Sequence, residues 1–242
     1  MASRSAATAD LGAWTAPTVV YRAVGKYPEA DLRPWLGAQD PDRVLSVFVG
    51  ASSRGKDVAT SLKQAHELRA ETNPELAVGG VAIPERHTRS GNEHQRLLTK
   101  QGAGCSFFVT QVVYDVNAVK NLVSDYRSEC AVRGLDPVPI VFTFTVAGSM
   151  KTVEFLTWLG VDVPRWIRSE LQHSDDVLTT SYDHSLSSAL DLMAYCRRLG
   201  VPFGLNVESV SSRRAEIEQA VLLAARLQQE LHRPGDLSGP RA

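Results

Sequence analysis

Short apolar runs alternate along the chain with longer segments in which apolar side chains recur every three or four positions. The short runs are rich in Val, Ile and Phe, and several are apolar almost throughout, which is typical of strands buried on both faces of a parallel sheet. The pattern predicts six strands, at Thr18–Val24, Arg43–Val49, Leu76–Ile83, Ser106–Tyr114, Pro139–Thr145 and Phe203–Val210.

The longer segments have the period of amphipathic helices and lie between the strands. The predicted helices are Ala59–Glu71, Glu93–Gln101, Asn117–Arg133, Thr152–Leu159, Pro164–Leu171, Ser185–Arg198 and Ala215–Leu231. Gly134 directly follows one predicted helix and Gly200 lies two residues after another, close to the position where glycine commonly ends a helix. Ser211 or Ser212 can cap the start of the last helix.

The alternation of strands and helices, without repeats or linkers, predicts one α/β domain over residues 18–232. We expect a parallel (β/α)8 barrel of TIM type rather than an open sheet, because no glycine fingerprint opens an early helix. The nearest candidate, residues 50–55, has the wrong spacing. Residues 1–17 are expected to form an extension that is partly disordered or helical, and residues 233–242 a disordered tail.

Composition narrows the functional classes. The 242 residues include 26 basic and 27 acidic side chains, and a net charge of −1 argues against nucleic-acid binding. No apolar run approaches the roughly 20 residues of a membrane span, and the polar N-terminus without a signal core predicts a cytoplasmic protein. Cys105, Cys130 and Cys196 are too scattered for a disulfide framework or a zinc site, so we expect small buried apolar residues.

Candidate chemistry is sought at the carboxyl ends of the strands, where the site of a parallel α/β barrel lies. The polar residues at those ends are Glu85, His87, Gln111, Tyr114, Thr143, Thr145, Asn206 and Glu208. Asn206 and Glu208 are two positions apart and therefore face the same side of their strand. They are candidates for a site facing the barrel interior, although a polar rim or a pairing with Arg22 or Lys151 fits equally well.

Other polar positions have both a functional and a structural interpretation. The Gln111 amide could bind a ligand through paired donor and acceptor contacts, or it could be a hydrogen-bonded core residue. His87 could act as an acid or base near neutral pH, but a lone loop histidine is more often structural. The remaining histidines show no ligand spacing, so no metal site is predicted. Glu93 and Lys100 lie two turns apart on one helix, and spacing alone favours two solvated surface charges.

The central stretch contains a family pattern. It consists of AIPERH at residues 82–87, then Glu93 and Lys100, an AGC turn, and VTQVVYD at residues 109–115. This resembles the methylenetetrahydrofolate reductase family, whose members are flavin-linked barrels. There a YPE-x-H strand end precedes a helix with an acidic residue and a lysine, followed by an AGA turn and a TQ strand leading to FFD. The spacing agrees without a gap, and the resemblance covers roughly residues 18–225.

The resemblance implies roles for individual side chains. Glu93 and Lys100 match positions that contact FAD, and we group Glu85 and Ile83 with them as cofactor-binding positions. Gln111 matches a position that binds the folate pterin.

The implied reaction is the NAD(P)H-dependent reduction of 5,10-methylenetetrahydrofolate to 5-methyltetrahydrofolate, with FAD relaying the hydride. Gln111 would hold the pterin, and Asn206 and Tyr114 would complete the substrate site. Independently of the resemblance, the strand-end positions of Glu208 and His87 make either of them a candidate for the catalytic acid.

The sequence also departs from the family pattern. The family tyrosine is Ile83 here, and the aspartate that tunes the flavin is replaced by Ala51. The family barrel has eight strands, whereas only six are predicted here, and the absent first strand would carry the acidic glutamate. Three explanations fit this shortfall: a truncated start, pairing with another copy as a homo-oligomer, or loss of catalysis. A flavin-free folate or C1 enzyme, a non-catalytic folate- or flavin-binding subunit, and an inactive fragment therefore stay open as alternatives.

Overall fold

A computed structural model describes residues 16–50 and 57–232. Its strands are β1 Thr18–Ala23, β2 Val44–Val49, β3 Val78–Ala82, β4 Phe107–Val112, β5 Ile140–Phe144 and β6 Phe203–Val207. They follow one another across the sheet in sequence order, and the pairs β1–β2, β4–β5 and β5–β6 are parallel. Every predicted strand is present and ends within its predicted bounds.

Helices connect the strands. They are α1 Glu29–Gly37, α2 Leu62–Thr72, α3 Pro84–Ser90, α4 Glu93–Gly102, α5 Val116–Arg133, α6 Met150–Trp158, α7 Arg165–His173, α8 Val177–Leu199 and α9 Arg214–Leu231, with a short 3-10 helix at Val24–Lys26. Sequential parallel strands with intervening helices are the topology of a TIM-type barrel, of which six of the eight strands are described. The predicted fold class, an incomplete parallel α/β barrel, is confirmed.

Two helices, α1 and α3, were not predicted, and each contains a proline. α1 contains Pro34. α3 begins at Pro84, whose fixed φ suits a first helical position, and is ended by Gly91 at a positive φ of 65°. The segment that contains His87 is therefore a helix, and the loop assignment was wrong.

Two helix starts also differ from prediction. α8 begins at Val177, earlier than expected, because the Asp176 side chain caps it by accepting a hydrogen bond from the Thr179 N–H at 3.1 Å. At the start of α9 the N-cap position is Arg213, and Ser211 instead accepts the Arg213 N–H at 3.1 Å. The expected serine cap therefore stabilises the preceding turn rather than the helix.

Contacts group the chain into two compact units, Met1–Gly79 and Gly80–Ala242. In the first unit, α1 and α2 bury an apolar cluster against the strands. Its buried members are Val24, Leu32, Leu36, Phe48, Ala65, Leu68, Leu76 and Val78. A capping box between Ser61 and Gln64 begins α2.

In the second unit, the main apolar core lies between the strands and helices α5, α8 and α9. The β5 side chains Ile140, Phe142 and Phe144 are fully buried in it. Phe108 of β4 packs edge-to-face against Tyr126 of α5, with ring centroids 6.0 Å apart. One face of β5 thus packs in the apolar core, and polar side chains can occupy the opposite face.

Among the described residues, no helix is both long and apolar enough to cross a membrane. Cys105, Cys130 and Cys196 are buried, which confirms the prediction that they are small core residues.

Candidate functional site

Polar side chains line the face of β5 and β6 opposite the apolar core. Thr143 alternates with the buried Phe142 and Phe144 and therefore points to the other face of β5. Asn206 is its cross-strand partner on β6, and the Asn206 Nδ2 donates a hydrogen bond to Thr143 Oγ1 at 3.3 Å. The two side chains consequently share one face of the sheet.

Further hydrogen bonds extend this face to both sides. The Thr143 backbone N–H donates to Thr110 Oγ1 at 3.0 Å, and Thr143 Oγ1 donates to the Thr110 carbonyl at 2.9 Å. At the carboxyl end of β5, Thr145 Oγ1 donates to the Glu208 backbone oxygen at 2.7 Å. We call Thr110, Thr143, Thr145, Asn206 and Glu208 the polar strand face.

Glu208 directly follows β6 and is exposed to solvent. Desolvation by the surrounding protein raises the pKa of its carboxyl group, and a hydrogen bond with the Asn206 side chain partly opposes this rise. The contact confirms that Asn206 and Glu208 lie on the same side, as their spacing predicts. A carboxyl group with a raised pKa keeps its proton to higher pH, so it can act as an acid.

The end of β4 contains an irregularity next to the polar strand face. The register between β4 and β5 shifts between Val109 and Val112, around Gln111. Such bulges redirect side chains and occur often at functional sites. The Gln111 Nε2 donates to the Leu159 carbonyl at 3.3 Å, which fixes this partly exposed amide at the carboxyl end of β4.

Glu85 follows β3 in the first turn of α3 and is buried. Its Oε2 has no hydrogen-bond partner within the described part of the chain. Burial raises the pKa of Glu85, with smaller upward contributions from Asp162 and Asp115, whereas its own backbone N–H and Arg89 lower it. Glu85 is therefore a second carboxyl group near a strand end whose pKa is raised by burial.

Glu93 and Lys100 share one face of α4, as predicted, but they are not surface charges. Glu93 is 0% exposed, and its Oε1 accepts the Ile83 N–H at 3.3 Å. The Lys100 Nζ donates to the Val81 carbonyl at 2.5 Å. Burial lowers the pKa of Lys100, and the charge of Glu93 opposes this effect. Both side chains thus bind the backbone around the end of β3.

Tyr114 is a core residue of the second apolar cluster. Burial raises the pKa of its hydroxyl to about 12, and within the described residues this hydroxyl has no hydrogen-bond partner. The nearby carboxylate of Glu216 was missed by the sequence analysis. Both of its oxygens lie 3.1 Å from Thr152 Oγ1, and a Cβ at Gly148 would lie 2.7 Å from its Cγ. The helical pattern of α9 gives no sign of this burial, since the partners lie 64 residues away in the chain.

His87 lies apart from the strand ends. Its ring is buried between helices, with Nε2 2.9 Å from Asp125 Oδ2 of α5 and its centroid 5.2 Å from that of His94 of α4. His87 therefore contacts side chains of neighbouring helices, whereas Gln111, Asn206 and Glu208 lie at the carboxyl ends of strands. The residue at the family aspartate position, Ala51, lies outside the described residues.

One solved structure is similar over most of the chain. It is an uncharacterised protein from Clostridium thermocellum, described as binding two copies of 5-methyl-5,6,7,8-tetrahydrofolic acid. The two proteins are 42% identical with a TM-score of 0.80, and the match covers 88% of this chain and 73% of that one.

Two xylanase structures match more distantly. A family 10 xylanase from Thermobacillus composti is 15% identical with a TM-score of 0.45, over 74% of this chain and 53% of that one. A psychrophilic family 10 endo-beta-1,4-xylanase is 12% identical with a TM-score of 0.43, over 79% of this chain and 60% of that one. No curated protein matches the chain.

A family model gives the assignment. The model described as methylenetetrahydrofolate reductase matches residues 47–203, which is more than half of the chain. The match includes the motif stretch at the ends of β3 and β4 as well as β5. The chain therefore belongs to the methylenetetrahydrofolate reductase family.

Proposed function

We propose that the chain binds a reduced folate at the carboxyl ends of β4, β5 and β6. The observation that supports this most strongly is the 42% identical protein from Clostridium thermocellum, which binds 5-methyl-5,6,7,8-tetrahydrofolic acid. The strand ends offer suitable groups for the polar edge of a pterin, namely the Gln111 amide and the polar strand face. An amide presents both a donor and an acceptor, which suits a heterocycle with alternating donors and acceptors.

Within this site we assign Gln111 to the pterin, and Asn206 and Glu208 to neighbouring polar atoms of the ligand. Gln111 uses one amide hydrogen on Leu159 and retains further bonding capacity for a ligand. Tyr114 belongs to the supporting core rather than to the contact surface, because its hydroxyl is buried.

The reaction we propose for this site is the reduction of 5,10-methylenetetrahydrofolate to 5-methyltetrahydrofolate by NAD(P)H. The bond between the methylene carbon and N10 breaks, and N10 takes up a proton. A hydride from NAD(P)H then adds to the methylene carbon of the N5 iminium, which gives the methyl product and NAD(P)⁺. Glu208 is our candidate for the proton donor, because it lies at the end of β6 on the side of Asn206 and desolvation raises its pKa.

The flavin contacts implied by family resemblance do not fit this chain well. Glu93 is fully buried, and both Glu93 and Lys100 are bonded to the backbone at Ile83 and Val81. Among the described residues, the second carboxylate oxygen of Glu93 has only Arg96 near it, at 3.7 Å, and we derive no step through FAD. The same observation favours a second candidate function, in which the chain binds reduced folate without flavin chemistry.

The first test is a calorimetric titration with 5-methyltetrahydrofolate. We expect saturable binding by the wild-type chain and about tenfold weaker binding by Gln111→Leu, because one or two hydrogen bonds to the pterin would be lost. Gln229→Leu, at an exposed position on α9, is the matched control and should bind like the wild type. No binding by the wild-type chain would show the proposal to be wrong.

The second test separates the two candidate functions. The visible spectrum of the purified chain reports bound flavin, and NAD(P)H oxidation is then followed with and without methylenetetrahydrofolate. Folate-dependent oxidation that falls about a hundredfold in Glu208→Gln, with 5-methyltetrahydrofolate affinity retained, supports the reductase and its acid. Binding without oxidation supports the folate-binding candidate and rejects the reductase. Oxidation that is unchanged in Glu208→Gln rejects Glu208 as the acid.

A further inference from the structure

We propose that His87, His94 and Asp125 form a binding site for a zinc-type divalent metal ion. The three residues come from α3, α4 and α5, and their donor atoms all lie within 4.8 Å of one another. No spacing rule along the sequence reveals this group, because each of three helices contributes one residue. The site lies on the helix side, apart from the polar strand face.

Both imidazole rings retain an unsatisfied atom in this arrangement. His87 Nε2 lies 2.9 Å from Asp125 Oδ2, while His87 Nδ1 is buried without a partner. His94 Nε2 lies 3.0 Å from the Gln95 amide nitrogen, while His94 Nδ1 is also buried without a partner. Buried polar atoms of this kind usually have a water molecule or an ion as partner.

The surroundings favour a cation with access from solvent. His87 is buried, whereas Asp125 is half exposed, so an ion can enter on the carboxylate side and keep a water ligand. Glu129 lies one turn further along α5. Its carboxylate is paired with Arg133 at 2.8 Å and is therefore not among the proposed ligands.

The donor set indicates which metal would bind. Two imidazoles and one carboxylate, with a fourth position for water, are a common ligand set for Zn²⁺. Mg²⁺ and Ca²⁺ prefer oxygen ligands, so they should compete poorly. Metal–ligand bonds of about 2.0–2.1 Å place tetrahedral donors roughly 3.4 Å apart. The donor atoms, which lie within 4.8 Å of one another, would therefore move closer together when an ion binds, and the exposed Asp125 side chain is free to make this movement.

Binding at this site would connect three helices. α3 carries Glu85 in its first turn and α4 carries Glu93, so an ion on His87 and His94 would also hold the segments around the end of β3. A ligand that binds only the folded chain stabilises it by mass action. This inference does not depend on the proposed folate function.

The test uses the full chain, freed of metal with a chelator, and Zn²⁺ as the only added ion. Competition with a chromophoric chelator measures affinity and stoichiometry, and circular dichroism verifies the fold of each variant. We expect one Zn²⁺ per chain, displaced poorly by excess Mg²⁺. His94→Gln and Asp125→Asn should each weaken binding at least tenfold, since each removes one ligand.

Glu170→Gln is the matched control, because Glu170 forms a similar pair with His184, at 2.9 Å, without a second histidine. It should bind Zn²⁺ like the wild type. Zn²⁺ should also raise the Tm of the wild type and of Glu170→Gln more than that of His94→Gln. Absence of one-to-one binding by the wild-type chain would overturn the proposal. So would equal affinity of folded His94→Gln, Asp125→Asn and wild type, because the ion would then bind elsewhere.

Discussion

The two faces of β5 and β6 share one backbone but have opposite compositions. On the face toward α5, α8 and α9, Phe142 and Phe144 are fully buried among other apolar side chains. On the opposite face, Thr143 and Asn206 are hydrogen-bonded to each other. Alternate residues of a strand point to opposite sides. The five residues of β5 therefore contribute both to the apolar core and to the polar strand face.

The comparison shows how stability and candidate function are separated in this chain. The apolar face contributes through burial, which is proportional to the area removed from water. The polar face contributes little net stability, because its hydrogen bonds replace bonds to water. Its side chains are nevertheless held in defined positions, which is what recognition of a ligand requires.

The largest expected effect comes from breaking the apolar face. Phe142→Ala should lower the free energy of unfolding by about 3–5 kcal/mol, because it leaves a cavity in a fully buried cluster. Urea denaturation measures the change. The control is Phe155→Ala, at a position 43% exposed, which should cost much less. Similar losses in both variants would contradict the assignment of the core.

A smaller effect is expected on the polar face. Thr143→Val keeps the shape but removes a hydroxyl that donates to the Thr110 carbonyl and accepts from Asn206. We expect a loss of about 1–3 kcal/mol in the free energy of unfolding, because the buried Thr110 carbonyl and the partly buried Asn206 amide each lose a partner. Thr99→Val, on the exposed side of α4, is the control and should change stability by less than about 0.5 kcal/mol. A stability gain in Thr143→Val would show that these hydrogen bonds are unfavourable.

The smallest expected effect depends on pH and concerns Glu85. Its pKa is raised in the folded chain, so ionisation costs stability as the pH rises through the folded value. Glu85→Gln removes this cost. The variant should match the wild type at a pH below the usual range of a glutamate and exceed it by about 1 kcal/mol at pH 7.

Urea denaturation at the two pH values measures this difference. Glu154→Gln, at an exposed position on α6, should show no such dependence. If Glu85→Gln is less stable than the wild type at pH 7, the carboxylate is better satisfied than its burial suggests.

The strands could be predicted closely because their pattern depends on burial alone. Continuous runs of Val, Ile and Phe indicate a strand that is covered on both faces. The spacing of two residues between Asn206 and Glu208 correctly predicted that their side chains lie on the same side of the strand. The spacing of Glu93 and Lys100 likewise predicted a shared face of α4. The spacing could not predict that this face of α4 packs against the backbone around the end of β3.

Features that depend on distant parts of the chain could not be predicted. Glu216 meets Thr152 only after β6 and α9 pack against the start of α6. His87, His94 and Asp125 come together from separate helices, so the histidine spacing gave no sign of their proximity. The helix α3 was missed because the family motif it contains resembles a strand end followed by a loop.

The most direct test of the central claim, that reduced folate binds at the polar strand ends, is a crystal structure of the chain with 5-methyltetrahydrofolate. We predict that the pterin lies within hydrogen-bond distance of the Gln111 amide and next to Asn206 or Glu208. A pterin bound against the outer helices, with Gln111 still bonded only to Leu159, would contradict the account.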